Sequence, residues 1–122
     1  MKIINWFQIP VTDINRAVKF YGDVFKASFH RIDAMGEQHA FFALDTMETL
    51  RTGGELVQTT RNKPSQEGAI IYLNAPDGVD AVLSRVASGG GKVLLAKTSI
   101  GENGWIGIIL DTEGNRIGVH SA

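Results

Sequence analysis

Five side chains in this sequence have types and positions suited to holding or transforming a small molecule: Trp6, Gln8, Tyr72, Lys97 and His120. Indole and phenol rings offer stacking faces with a polar tip. A primary amide both donates and accepts hydrogen bonds. An imidazole can take up or release a proton near neutral pH, so His120 beside Tyr72 or Gln8 would be a candidate general base. Lys97, in Lys97-Thr98-Ser99-Ile100, offers a cation to an anionic ligand. Each has an ordinary alternative. Trp6 and Tyr72 also suit half-buried sheet positions with their tips in water, and Lys97 and His120 suit a solvated surface.

Other chemistries are excluded or unsupported. The chain has no cysteine, so disulfides, thiolate metal sites and cysteine nucleophiles are ruled out. Twelve Lys and Arg against thirteen Asp and Glu leave a formal charge of -1, without the basic excess of a nucleic-acid binder. No P-loop, G-x-S-x-G, H-E-x-x-H or dinucleotide fingerprint occurs. Gly89-Gly90-Gly91 follows a helical pattern instead of opening one, which reads as a stop and not a phosphate cradle. No apolar run approaches the roughly 20 residues of a membrane span, and Met1–Pro10 lacks a signal-peptide layout. A cytoplasmic protein, with no nucleic-acid or membrane partner, is the expectation. The 122 residues fit one domain.

The candidate residues must be positioned by strands. Ile3–Val11, Phe29–Ala34, His39–Leu44, Glu55–Thr59, Ala69–Asn74, Lys92–Thr98, Trp105–Asp111 and Arg116–His120 have strand composition. Ile14, Ala17, Val18, Tyr21, Val24 and Phe25 form one helical stripe, and Val79, Val82, Leu83, Val86 and Ala87 another. Asp13 and Asp77 precede these helices as candidate N-caps. Thr112–Asn115 reads as a hairpin loop, and Asp45–Gly53 as a loop over a cavity mouth or a plain connector. The order β-α-β-β-β occurs twice, as module 1 over about residues 1–59 and module 2 over about 69–122, with a linker at about 60–68. A single offset of 64 residues superposes the halves without a gap, placing Asp13 on Asp77, Phe41 on Trp105 and Gly54 on Gly118.

Residues two apart share a strand face. Phe7, Ile9 and Val11, with Ile71, Leu73 and Ala75, form aliphatic or aromatic faces that should pack on the helices. The opposite, mixed faces carry Trp6, Gln8, Tyr72, Asn74 and His120, the composition of a small-molecule cavity.

The run Gln8 to Tyr21, with its D-x-x-R-A-x-x-F-Y helix, resembles the glyoxalase/bleomycin resistance/dioxygenase (vicinal oxygen chelate) superfamily, including its small lactoylglutathione-lyase-related members. Gly104 to Gly118, with its D-x-x-G-N turn, resembles the end of the same domain. The resemblance spans nearly the whole chain. It implies an α+β fold of two tandem βαβββ modules whose mixed sheet curls around a cavity, with the helices outside, and commonly a homodimer. It also implies a divalent metal held by His, Glu or Gln on the first and last strands of each module. Those positions fall here on Trp6, Ile70, Gly118 and Gly54, or Leu56 after a register shift, none of which ligates through N or O. Among nearby residues Glu55 has the wrong parity relative to Gly54, Gln8, Gln58 and His120 are displaced, and His30 and His39 sit in mid-module strands. Lys97 matches a basic position that recurs among close relatives. No cofactor is expected. The favoured reading is a metal-independent binder of a small organic ligand. The alternatives are a lyase, isomerase or dioxygenase relative with displaced ligands or acid–base chemistry, and a dimer whose mixed face is buried against protein.

Overall fold

A computed structural model describes residues 3–43 and 53–122. The first module contains β1 (Trp6–Val11), α1 (Ile14–Phe25), β2 (Phe29–Ala34), β3 (Glu37–Phe42) and β4 (Gly53–Gln58). The second contains β5 (Tyr72–Asn74), α2 (Val79–Ser84), β6 (Lys92–Ser99), β7 (Trp105–Leu110) and β8 (Arg116–Ser121). They form two four-stranded sheets of identical topology, β1-β4-β3-β2 and β5-β8-β7-β6, and not one closed barrel. In each, the first strand runs parallel to the last and the other pairs are antiparallel. The expected loop at Asp45–Gly53 lies outside the described residues apart from Gly53, which opens β4.

The faces separate as the alternation requires. Ile9, Val11, Ile109, Ile117 and Val119 are buried against Phe20, Tyr21, Val24, Val82 and Val86 of the helical segments. Helix α1 begins where Asp13 Oδ1 accepts from Arg16 N at 3.1 Å, and stops at Lys26 in a left-handed conformation. Helix α2 departs from expectation: Gly78 is its N-cap, and Asp77 instead pairs with Arg85 at 2.8 Å. Arg85 also donates to the Val24 carbonyl, which links the two helical segments and gives its Asp77 partner a second task in place of capping. Met35 and Gly36, both with positive φ, make a two-residue turn between β2 and β3.

The two sequence signatures meet in space. Tyr21 of α1 donates to Asp111 Oδ2 at 2.6 Å, and the same aspartate accepts from the Asn115 backbone and side chain. Burial, followed by the Asp111 charge, pushes the Tyr21 phenol well above its ordinary range, so it stays a donor. Glu113 Oε1 accepts from Thr12 N and Asp13 N at 2.9 Å each, and Arg16 Nε donates to Oε2 at 2.7 Å. Asn115 Nδ2 donates to the Pro10 carbonyl at 2.8 Å. The turn of the second module thus clamps the strand-to-helix corner of the first. Gln58, considered as a displaced ligand, caps the same helix by accepting from Ile14 N at 2.9 Å.

The gap-free repeat fails in detail. Gln8 pairs with Glu55 on β4, and its equivalent Tyr72 pairs with Gly118 on β8, so the offset is 64 between first strands and 63 between last strands. Gln38 opposite Gln58 corresponds to Trp105 opposite Ser121, an offset of 67. Trp105 is therefore the counterpart of Gln38 and not of Phe41. Loops of different length between the strands of each module break the single offset.

Candidate functional site

The mixed face of the first sheet is organised around Glu55. Its register opposite Gln8 places it on the same face as Trp6 and Gln8, and the antiparallel pairing of β3 adds Phe41 opposite Glu55 and His39 opposite Val57. The expectation that Glu55 has the wrong parity is thereby corrected; the one-residue difference between the 64 and 63 offsets moves the position from Gly54 to Glu55. Gly54 lies on the opposite face under Phe7, whose ring would meet an added Cβ at 2.2 Å.

Glu55 is 4% exposed and has three side-chain donors. Trp6 Nε1 reaches Oε2 at 3.0 Å, Gln8 Nε2 reaches the same oxygen at 3.2 Å, and His39 Nδ1 makes a short contact with Oε1. Burial alone would push this carboxyl up, but hydrogen bonds from His39, Gln8 and Trp6 outweigh it and hold the acid below its ordinary range. Phe41 backs the cluster: its ring is tilted against Trp6 at 5.7 Å and stacked with His39 at 5.9 Å. The result is a carboxylate at the base of an aromatic wall, with Trp6 46% exposed at the rim.

His39 extends the cluster on its other side. Its Nε2 lies 3.7 Å from Glu37 Oε1. Glu37 accepts from Arg61 Nε at 2.8 Å and from the Thr59 hydroxyl, and these bonds hold its carboxyl down at about 2. Glu37, His39 and Arg61 border an open cleft of about 880 Å³ with Thr12 and Thr59. One imidazole therefore stands between a carboxylate on the mixed face and a second at this cleft.

The second sheet is built differently. Tyr72 lies flat across Gly118, where an added Cβ would come within 2.3 Å of its ring. The phenol ring thus fills the space that a side chain at 118 would need. His120 lies opposite Asn74 on the same face, and its Nε2 donates to the Asn103 carbonyl at 2.6 Å. Lys97 belongs elsewhere: its Nζ sits 4.5 Å from the centre of the Trp105 ring and 3.4 Å from Asp80 of α2. It lies on the helix side of the sheet, stacked and paired.

Of the five residues singled out in the sequence, Trp6 and Gln8 converge on one atom. Tyr72 and His120 share the face of the other sheet, and Lys97 joins neither group. Among the described residues no hydrogen bond or ring contact joins Trp6 or Gln8 to Tyr72 or His120. Residue types and spacing alone do not bring Glu55, His39 and Phe41 into this group; the signal that finds them is the strand register.

The family's divalent metal does not fit these residues. Its four positions now read Trp6, Glu55, Ile70 and Gly118. Only Glu55 has donor oxygens, and both are engaged by protein donors. The Tyr72 ring occupies the site at 118. No cluster of three or more His, Asp or Glu suited to an ion exists among the described residues.

Comparison with known proteins agrees with the architecture. The chain is 32% identical over 97% of its length to a Mycobacterium tuberculosis protein given the provisional name glyoxylase CFP32, but spans only 45% of that protein. It is 30% identical, over 92% of its length and 88% of the relative's, to a glyoxylase-like domain-containing protein of Didymella fabae. Among solved structures, a glyoxalase/bleomycin resistance protein from Streptomyces sp. CB03234 superposes with TM-score 0.71 at 22% identity, over 97% of this chain and 99% of that one. The fosfomycin resistance protein FosX from Listeria monocytogenes superposes with TM-score 0.69 at 13% identity, over 100% and 92%. The model of the Glyoxalase/Bleomycin resistance protein/Dioxygenase superfamily matches residues 3–119, and the chain belongs to that superfamily.

Proposed function

We propose that the chain binds a small organic molecule on the mixed face of its first sheet, without a divalent metal at the family's positions. The observation that carries this reading is Glu55, a buried acceptor whose oxygens are already engaged by Trp6, Gln8 and His39. A ligand would stack on the exposed indole and exchange hydrogen bonds with the Gln8 amide, whose carbonyl oxygen accepts no hydrogen bond among the described residues. Trp6 and Tyr72 are 46% and 42% exposed, so a second copy closing over these faces, as a homodimer, is part of the proposal. The test uses Trp105→Phe, which leaves Trp6 as the sole indole. Saturable quenching of its emission by uncharged planar organic molecules, unchanged by a chelator, supports the reading. Binding that requires added metal contradicts it.

One observation favours a second reading, an enzyme working by acid–base chemistry. His39 Nδ1 contacts Glu55 directly, an imidazole–carboxylate pair of the kind that moves protons. Chelator-resistant turnover of a glutathione hemithioacetal, abolished by His39→Ala with the fold retained, supports this version. Turnover that survives His39→Ala rejects it.

A further inference from the structure

We propose that the cleft where the linker crosses the ends of β1 and β8 is a binding site for a small oxyanion, the phosphate or carboxylate group of a metabolite. The cleft encloses about 180 Å³ and is bordered by Gln8, Asn62, Lys63, Ser65, Glu67 and Arg116. It shares Gln8 with the Glu55 cluster but differs from it in charge and in its other donors.

The linker is stitched onto the second module here. Ser65 N donates to Asn115 Oδ1 at 3.1 Å, and Arg116 N donates to the Ser65 carbonyl at 3.2 Å. Arg116 Nη2 donates to the Gly68 carbonyl at 2.8 Å, which orients the guanidinium. Its Nε is nevertheless shielded from solvent and has no hydrogen-bond partner among the described residues. A shielded cationic N–H without an acceptor is costly, and a negative charge held in the cleft that Arg116 lines offsets that cost through space. Lys63 brings the second cation. Its backbone N donates to Asn62 Oδ1, and no carboxylate among the described residues lies within ion-pair distance of its ammonium. The Ser65 hydroxyl oxygen accepts from Glu67 N at 3.0 Å and keeps its proton free to donate. Glu67 is the carboxylate on the wall, so the lining charge is two cations against one anion. That balance favours one small anion held toward Lys63 and Arg116, and limits its affinity.

The test is thermal melting of the whole chain with sodium phosphate and, in a parallel arm, sodium acetate, each against sodium chloride at matched ionic strength. The expected result is a saturable rise in Tm with one oxyanion or both. Lys63→Ala, at an exposed position with no ion-pair partner among the described residues, and Arg116→Lys, which keeps the charge but removes the guanidinium fork, should each weaken apparent affinity about tenfold. Glu67→Gln should strengthen it. The absence of a saturable rise with either oxyanion overturns the proposal, as does an equal rise in Lys63→Ala and the parent chain.

Discussion

Gln8 and Glu55 stand directly opposite each other on parallel neighbouring strands, and the Gln8 amide donates to Glu55 Oε2 over 3.2 Å. Trp6 donates to the same oxygen from two residues away, and His39 holds the other. A carboxylate in this position on an open sheet face would be free to bind an ion or a substrate. In this chain it is committed to three side chains of its own module, and the surface offered outward is indole, imidazole and amide.

Glu55→Gln should therefore cost stability before any ligand is considered. The amide keeps the size but turns one acceptor into a donor facing donors, leaving buried polar groups mismatched. The expected loss is about 1–3 kcal/mol, read from the urea midpoint at constant m-value. Because the Glu55 carboxyl is held below its ordinary range, that loss should shrink as pH falls through its folded pKa.

The Glu113 clamp predicts a defined acid limb. Burial opposes ionisation there, but bonds from Arg16, Asp13, Thr12 and Thr112 bring the carboxyl down from 4.5 to about 2. A depressed folded pKa stabilises the protein above the unfolded value, and the contribution is lost as pH falls from about 4.5 toward 2. With its side chain fully shielded, Glu113 should contribute about 2–3 kcal/mol at neutral pH. Glu113→Gln should be less stable than the parent by that amount at pH 7, and the two denaturation curves should converge near pH 2.

Gly118 and Tyr72 form a steric pair. Gly118→Ala puts a methyl group where the phenol ring lies, within 2.3 Å, and should cost about 1–3 kcal/mol. Removing the ring in the Tyr72→Ala, Gly118→Ala double variant should recover most of that strain. A double-mutant cycle measures the coupling, and additive losses would show that the ring moves aside freely.

How far the structure can be foreseen varies with the kind of interaction involved. Helix α1 and the apolar strand faces follow from periodicity, because burial of Ile9, Val11 and Ala17 depends on spacing within a single element. The D-x-x-G-N turn and the Tyr21 helix stand out as motifs, yet their mutual contact joins Tyr21 and Asp111 across ninety residues and no local pattern records it. The site is half visible. Trp6 and Gln8 declare their face by alternation, whereas Glu55 joins them only through the β1–β4 register, which loops of unequal length shift by one residue relative to the repeat. A slip of one residue inverts a strand's facing, and that is why a single repeat offset puts Glu55 on the wrong side. Asp77 shows a related limit: its capping potential is local, but its Arg85 partner is set by how α2 continues and packs.

The most direct measurement of the central claim is metal content. The purified chain, dialysed against zinc, nickel, manganese or iron(II) and then against metal-free buffer, should retain far less than one ion per chain by elemental analysis. Glu55→Gln should match it. One tightly held ion per chain or per pair of chains, lost in Glu55→Gln, would contradict the claim, because the Trp6, Gln8 and His39 donors would then have released this carboxylate to a metal.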